Sequence, residues 1–145
     1  MGADTARLGI LMLDTRFPRI PGDVGNPLTW SFPVRYAVVE GATPAAIVEA
    51  DPAPFVDAFI EAGRALVAQG CTGIATTCGF LSLIRPKLAE ALGVPVAASA
   101  LEQVGALQVL LPPGQVVGIL TVSAASLTRA HLDVAGVPRG CPVQG

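Results

Sequence analysis

The alternation of short apolar runs with helical segments is the feature that most constrains the fold of this chain. Five runs rich in Val, Ile, Leu and Ala have the length of strands, and they are Leu8–Leu13, Val34–Glu40, Thr72–Thr76, Val94–Ala98 and Val116–Val122. Continuous apolar runs are typical of parallel strands that are buried on both faces. The pattern therefore predicts an α/β fold in which a parallel sheet carries helices on both faces, in a Rossmann- or flavodoxin-like arrangement.

Capping and stop signals place four helices between or after these strands. Asp51-Pro52 is an N-cap followed by proline at the first helical position, and Gly70 ends the helix that it opens. A second helix is predicted over Pro86–Leu92. A capping box at Ser99–Glu102 opens a third, which continues to Leu111. The fourth is predicted from about Thr128 to Ala135.

Composition and charge exclude several classes of protein. A content of 52% hydrophobic and 14% charged residues is incompatible with a mainly disordered chain. The net charge is −2 and no basic cluster exists, so we expect no nucleic-acid partner. No apolar run reaches the roughly 18 residues of a membrane span, and the first run is too short for a signal peptide. We therefore predict a cytoplasmic protein without membrane contact.

The cysteines and the motifs that the sequence lacks narrow the chemistry further. Three cysteines stand at positions 71, 78 and 141 beside a single histidine, His131, and no Cys-x-x-Cys pair exists. This spacing excludes a zinc site and a disulfide framework, so no metal is predicted. The sequence has no Gly-x-Gly-x-x-Gly, Walker or Gly-x-Ser-x-Gly motif, which disfavours nucleotide binding and serine hydrolysis. One reactive thiol is the chemistry that these exclusions leave.

Three of the predicted strands end in candidate site residues, at the edge where parallel sheets bind ligands. They are Asp14 and Thr15 at the end of the first strand, Thr76, Thr77, Cys78, Gly79 and Phe80 at the end of the third, and Thr121 and Ser123 at the end of the fifth. Backbone amides that follow Cys78 can lower the pKa of its thiol, although a cysteine here can equally be a small buried hydrophobe. The hydroxyls can bind a carboxylate or can cap turns, and Asp14 can orient a base or cap a loop.

The segment 14–33 does not fit the βαβ scheme. It is rich in proline and glycine and also contains Phe17, Trp30 and Phe32. A loop of about twenty residues in a compact domain is usually functional. Two interpretations are open: a lid over the site, with Trp30 and Phe32 excluding water, or a packed loop in which the three aromatics form a second small core.

The break at Pro112-Pro113-Gly114 suggests a domain boundary. A strand and a helix follow this break and cannot form a core alone. We therefore predict a first α/β domain over 1–113 and the start of a second, truncated domain over 114–145.

Four segments, taken in order, resemble the aspartate/glutamate/hydantoin racemase superfamily, and they are Leu8–Thr15, Thr76–Phe80, Val94–Val96 and Gly118–Ser123. The resemblance covers essentially the whole chain. It implies two similar α/β domains with the active site between them, and a cofactor-independent acid–base pair of cysteines, one from each domain. This chain would then be the first half of a two-domain, pseudo-symmetric fold.

The resemblance also assigns roles to individual residues. Cys78 would be the first catalytic cysteine, and the substrate carboxylate would contact the hydroxyls and amides around it, at Thr76, Thr77, Gly79 and Phe80. Asp14 and Thr15 match the residues after the first strand in some members, and Thr121 and Ser123 would open the second domain. Two features differ from the family pattern: Gly79-Phe80 replaces Asn-Thr, and Cys141 comes too early to be the second cysteine.

The resulting functional prediction is a cofactor-independent, cysteine-based racemase or isomerase that removes the α-proton of a small carboxylate, as a monomer or a homo-oligomer. Two alternatives are a decarboxylase or cis–trans isomerase that uses one cysteine, and a non-catalytic domain that binds a small anion. Racemisation requires a second acid–base group, which this sequence does not supply. We therefore expect the chain by itself not to racemise amino acids.

Overall fold

A computed structural model of the chain describes residues 7–145 and contains a four-stranded parallel sheet. Its strands are β1 (Leu8–Leu13), β2 (Val34–Val39), β3 (Gly73–Thr76) and β4 (Val96–Ala97), in the spatial order β2-β1-β3-β4. The helix α1 (Val56–Ala68) connects β2 to β3, and α2 (Arg85–Leu92) connects β3 to β4. The predicted α/β class, a parallel sheet with helices in a Rossmann- or flavodoxin-like arrangement, is confirmed.

The core is built around β1, which pairs with β2 on one side and β3 on the other. Ile10 and Leu11 are adjacent in sequence and both fully buried, as expected for a strand covered on both faces. A Cβ atom at Gly9 would lie 2.9 Å from Cδ1 and 3.1 Å from Cβ of Leu66 in α1, so glycine allows α1 and the sheet to approach this closely. This rigid centre fixes where the carboxyl ends of β1 and β3 lie.

Three local elements differ from the predictions. The segment Ala45–Ala50 is a short π-helix that the sequence analysis did not predict. A 3-10 helix, Gly79–Ile84, follows β3 and leads directly into α2. The predicted helix through Leu111 is shorter and divided into a 3-10 segment, Ala100–Gln103, and α3 (Val104–Gln108). Gly105 lies in this short helix, where glycine lowers the helical propensity.

The last part of the described chain forms a second, two-stranded parallel sheet. Its strands are β5 (Ile119–Leu120) and β6 (Val143–Gln144), and α4 (Arg129–Val134) lies between them in the chain. The predicted strand over 116–122 is therefore much shorter than expected. Within residues 7–145, β5 pairs with β6 alone. Leu120 in β5 and Val122 just after it are each more than four-fifths exposed. The division into two domains stays a prediction.

The longest helix within residues 7–145 is α1, with 13 residues. No helix in this part of the chain is long and apolar enough to cross a membrane.

Candidate active site

A cleft of about 720 Å³ opens where β3 and β4 end. Its walls come from the segment that follows β3, the segment from β4 to α3 and the strip around β5, and the loop over 14–33 contributes Val24 and Trp30. The polar side chains among the lining residues are Thr76, Thr77, Cys78, Ser99, Gln103 and Thr121. Within residues 7–145, none of the residues that line the cleft carries a formal charge. The cleft is therefore apolar, with a few hydroxyls, one amide and one thiol.

Cys78 stands half-buried at the turn between β3 and the 3-10 helix that follows. Its backbone N–H donates to Thr76 Oγ1 at 3.4 Å, and the Thr76 hydroxyl donates to the carbonyl of Ala98 at 2.8 Å. These bonds join the ends of β3 and β4 directly beneath the cysteine. Thr76 thereby fixes the backbone of Cys78, and its own oxygen is already engaged within the protein.

Burial and nearby amides act on the Cys78 thiol in opposite directions. Burial removes water from the thiolate and raises the pKa of Cys78. Hydrogen bonds from the amides of Phe80 and Leu81 lower it, but by less. The predicted contribution of the amides is present, while the net lowering of the pKa is wrong because burial outweighs it. Cys78 is accordingly a thiol at neutral pH in the free protein.

Two of the other predicted residues beside Cys78 hold the turn in place. Thr77 accepts a hydrogen bond from the N–H of Leu13 at 3.2 Å through Oγ1 and donates its own N–H to Leu11 at 3.1 Å, which ties β3 to β1. A Cβ atom at Gly79 would lie 2.9 Å from Ser99 Oγ, so glycine is needed for the two segments to approach.

Phe80 anchors the floor of the cleft. Its side chain is 5% exposed and meets the ring of His131 edge-on, with the centroids 5.3 Å apart. His131 is itself buried, and its Nδ1 completes a capping box with Thr128 at the start of α4. Burial lowers the pKa of His131, so this ring is neutral at physiological pH. Phe80 therefore connects the cysteine turn to α4.

The structure does not bring all of the predicted site residues to the cleft. Thr121 lines it, whereas Asp14, Thr15 and Ser123 do not. Asp14 Oδ2 accepts from the N–H of Gly41 at 3.1 Å, and Thr15 Oγ1 accepts from Arg19 at 3.1 Å. Ser123 Oγ accepts from the N–H of Ser126 at 3.1 Å. These three polar side chains stabilise loops, which was the alternative interpretation of each.

The other two cysteines lie away from the cleft. Cys71 is 2% exposed in the core, and burial raises the pKa of its thiol, partly offset by Arg35. Cys141 is half-buried and packs against the core. Within residues 7–145, Cys78 is thus the one cysteine that lines the cleft. No group of three His, Cys, Asp or Glu side chains in this range could hold a metal ion.

Two polar lining residues, Ser99 and Gln103, were missed by sequence reasoning. Ser99 follows β4 and caps the next 3-10 segment by accepting from the N–H of Leu101 at 3.2 Å. Its signal was present in the sequence, because a hydroxyl directly after a strand belongs to the same sheet edge as Cys78. It was interpreted only as a helix cap.

The loop over 14–33 contributes directly to the cleft. Trp30 lines it and is half-buried, while Phe17 and Phe32 are 55% and 50% exposed. A second small core formed by these three aromatics is therefore not what the structure shows. The position of Trp30 agrees with a loop that covers the site.

Curated proteins similar to this chain are dimethylsulfoniopropionate lyases. Dimethylsulfoniopropionate lyase 7 of Emiliania huxleyi (strain CCMP1516) is 30% identical over 121 residues, which are 83% of this chain and 36% of that protein. A dimethylsulfoniopropionate lyase of Durusdinium sp. clade D is 28% identical over 137 residues, covering 90% of this chain and 44% of that protein. The chain thus spans between a third and a half of the length of these relatives. No protein-family model matches it.

These comparisons overturn the functional expectation from the sequence. The relatives are named as lyases that act on dimethylsulfoniopropionate, and no match supports the racemase superfamily. The predicted racemase or isomerase is therefore wrong, and the alternatives of a decarboxylase, a cis–trans isomerase and an anion-binding domain fit no better. A thiol at a strand end is common to several types of proton-abstraction chemistry, so the cysteine turn alone could not distinguish among them.

Proposed function

We propose that this chain carries the carbon–sulfur lyase chemistry for which its relatives are named, with dimethylsulfoniopropionate or a close sulfonium carboxylate as substrate. The observation that carries the proposal is the single thiol, Cys78, at the wall of an uncharged cleft in a chain similar to such lyases.

The reaction that fits one thiol is a β-elimination. The Cys78 thiolate takes a proton from the carbon next to the carboxylate, and the C–H electron pair becomes the new carbon–carbon double bond. The C–S bond breaks, and its electron pair leaves with sulfur as neutral dimethyl sulfide. The organic product is acrylate, and Cys78 becomes a thiol that returns its proton to solvent.

Elimination suits this cleft better than inversion because the two reactions need different numbers of acid–base groups. Inversion needs one group to remove a proton and another to supply one on the opposite face. Elimination needs only the first, since the leaving group carries away the electrons. Cys78 is the one cysteine lining the cleft within residues 7–145, and the lining includes no carboxylate, histidine or lysine. One base is therefore what the described cleft offers.

The charge of the substrate also helps to activate the base. The pKa of Cys78 is raised by burial in the free protein, so the thiolate is scarce at neutral pH. A positive charge within about 4–6 Å favours the ionised form of an acid. A sulfonium group bound in the cleft would therefore increase the thiolate fraction next to the proton that has to be removed.

The type of reaction is tested by product analysis. The chain is incubated with dimethylsulfoniopropionate, dimethyl sulfide is measured by gas chromatography of the headspace, and acrylate by proton NMR of the solution. Elimination predicts the two products in equal amounts. Formation of 3-hydroxypropionate with the sulfide would indicate substitution by water, and methylthiopropionate would indicate demethylation; either outcome, or no turnover, would contradict the proposal.

A further inference from the structure

We propose that Trp30 determines specificity for the sulfonium cation, which its indole ring receives in the cleft. This inference rests on the proposed function, because it concerns the recognition of the same substrate. It assigns a ligand-binding role to the loop over 14–33, which is remote in sequence from Cys78 but reaches the same cleft through Val24 and Trp30.

The charge of the cleft decides which groups can bind a cation there. A sulfonium group is a permanent cation, and a buried cation needs a compensating partner. The residues that line the cleft within 7–145 include no aspartate or glutamate. Asp14, the carboxylate nearest to β1 in sequence, lies outside the lining and accepts from Gly41. The described lining therefore offers the cation no fixed carboxylate, and an aromatic face is an uncharged group that attracts cations.

The local environment of Trp30 leaves its ring as the part that can contact a ligand. Its indole N–H donates to the carbonyl of Val24 at 3.0 Å, so the polar part of the side chain is already satisfied within the loop. Its ring also contacts Phe32, with the centroids 5.4 Å apart and the planes tilted by 54°. What Trp30 contributes to the cleft is therefore its π surface, which attracts cations more strongly than the ring of any other residue type.

Phe80, the other aromatic residue in the described lining, is already engaged by a neighbouring ring. Phe80 is 5% exposed, and its ring packs against His131. A ring with so little free surface cannot receive a ligand group. Trp30 is half-buried and keeps surface for contact.

The loop over 14–33 holds Trp30 in place before any ligand binds. Arg19 forms an ion pair with Asp23 at 2.7 Å, and the Asn26 amide donates to the Arg19 carbonyl at 2.6 Å. Thr29 Oγ1 donates to the Asp23 carbonyl at 2.6 Å and accepts from the N–H of Gly22 at 2.9 Å. Because these bonds order the loop in advance, binding a ligand costs less conformational entropy.

The test compares a cation with an uncharged molecule of the same shape. Replacing the sulfonium sulfur of dimethylsulfoniopropionate by CH gives 4-methylpentanoate, which keeps the carboxylate and both methyl groups. Affinities are measured by isothermal titration calorimetry in a Cys78→Ala background, which prevents turnover. We expect the sulfonium compound to bind roughly tenfold more tightly or better, as a partly desolvated cation–π contact predicts.

Variants of the loop assign the preference to Trp30. Trp30→Leu keeps an apolar side chain without the π face and should abolish the preference, while Trp30→Phe should keep part of it. Phe32→Leu is the matched control, because Phe32 contacts Trp30 but does not line the cleft, and it should keep the preference. Circular dichroism checks that each variant is folded. If Trp30→Leu does not fold, Trp30→Phe provides the test, because it should keep only part of the preference.

The outcomes separate this inference from the proposed function. If the wild-type chain releases dimethyl sulfide but Trp30→Leu still prefers the cation, the role of Trp30 is wrong and the lyase proposal stands. If no sulfide is released but a preference that depends on Trp30 is measured, the cation site stands and the lyase proposal fails. Equal affinities of the parent protein for the two ligands would overturn the inference directly.

Discussion

At the scale of single residues, two opposing effects determine the pKa of the Cys78 thiol. The turn after β3 directs the amides of Phe80 and Leu81 at the sulfur, while the walls of the cleft exclude water from it. Burial is the larger effect, and it raises the pKa of Cys78. If Cys78 is the base of the proposed reaction, the free protein holds it protonated and the thiolate forms mainly when a cation is bound, which limits side reactions of the free thiol.

The pH dependence of alkylation tests this balance. We expect labelling of Cys78 by iodoacetamide to reach half of its maximal rate at a higher pH in the folded protein than in the protein unfolded in urea, where a cysteine has a pKa of about 8.5. The direction follows because burial favours the neutral thiol, so more alkaline conditions are needed to ionise it. Mass spectrometry separates the Cys78 peptide from those of Cys71 and Cys141. A lower midpoint in the folded protein would show that the amides dominate.

At the scale of elements, the cleft depends on close contact between the turn after β3 and the segment after β4. Gly79 and Ser99 meet at this contact, and Ser99 also caps the 3-10 segment Ala100–Gln103. Thr76 joins the same two segments through the carbonyl of Ala98. The geometry around Cys78 is therefore set by contacts between two strand ends more than by the cysteine turn alone.

A pair of substitutions tests this contact. Gly79→Ala would place a methyl group 2.9 Å from Ser99 Oγ, which has to move and give up its bond to Leu101. We expect a loss of about 1 kcal/mol in the free energy of unfolding, as for removal of a serine N-cap. In a Ser99→Ala background the clash and the cap are both absent, so the same glycine substitution should cost less by at least about 0.5 kcal/mol. Urea unfolding measures both values, and strict additivity would refute the contact.

Elements that depend on the local sequence were predicted correctly, whereas the length of an element that depends on contacts with distant segments was not. The bounds of β1 were predicted correctly because a strand buried on both faces has a continuous apolar sequence. The end of α2 was also predicted correctly, because glycine is common directly after a helix. Gly93 adopts the left-handed conformation of such a position, with φ of 64°. The short length of β5 was not, since it depends on which neighbour the strand finds, and Leu120 has the composition of a core residue although it is 85% exposed.

The same distinction between local and long-range interactions explains which residues of the candidate site could be predicted from the sequence. Cys78, Thr121 and the residues next to Cys78 could be placed at the cleft because the carboxyl ends of parallel strands share one edge. Asp14 satisfies the same rule, but a local hydrogen bond to Gly41 holds it elsewhere. The reaction itself was assigned incorrectly because a thiol that removes a proton next to a carboxylate can serve inversion or elimination. The choice between the two reactions depends on the leaving group, which belongs to the substrate and cannot be read from the sequence around Cys78.

At the scale of the whole molecule, the sheet supplies a rigid base and the remaining segments enclose a site on one edge. The strands β1 and β3 fix the turn with Cys78. The loop over 14–33, which connects β1 to β2, brings Trp30 to the cleft, and the strip around β5 completes the wall. The proposed division of labour is that Cys78 removes the proton and Trp30 receives the cation. An uncharged cleft suits a zwitterion because the two charges of the ligand partly compensate each other.

We propose that Cys78 is the base of a carbon–sulfur elimination, and a comparison of initial rates tests this role. Dimethyl sulfide release from dimethylsulfoniopropionate is measured for the wild-type chain, for Cys78→Ser and for Cys141→Ser. Cys141 is the matched control, because it is also half-buried but does not line the cleft. A serine hydroxyl is far too weak an acid to ionise near neutral pH, so Cys78→Ser should lower the rate by about 100-fold or more, as expected for the loss of a general base. Cys141→Ser should stay within about twofold of the wild type, since Cys141 does not line the cleft and has no contact with the proposed substrate site. A Cys78→Ser variant that releases dimethyl sulfide as fast as the wild type would contradict the account.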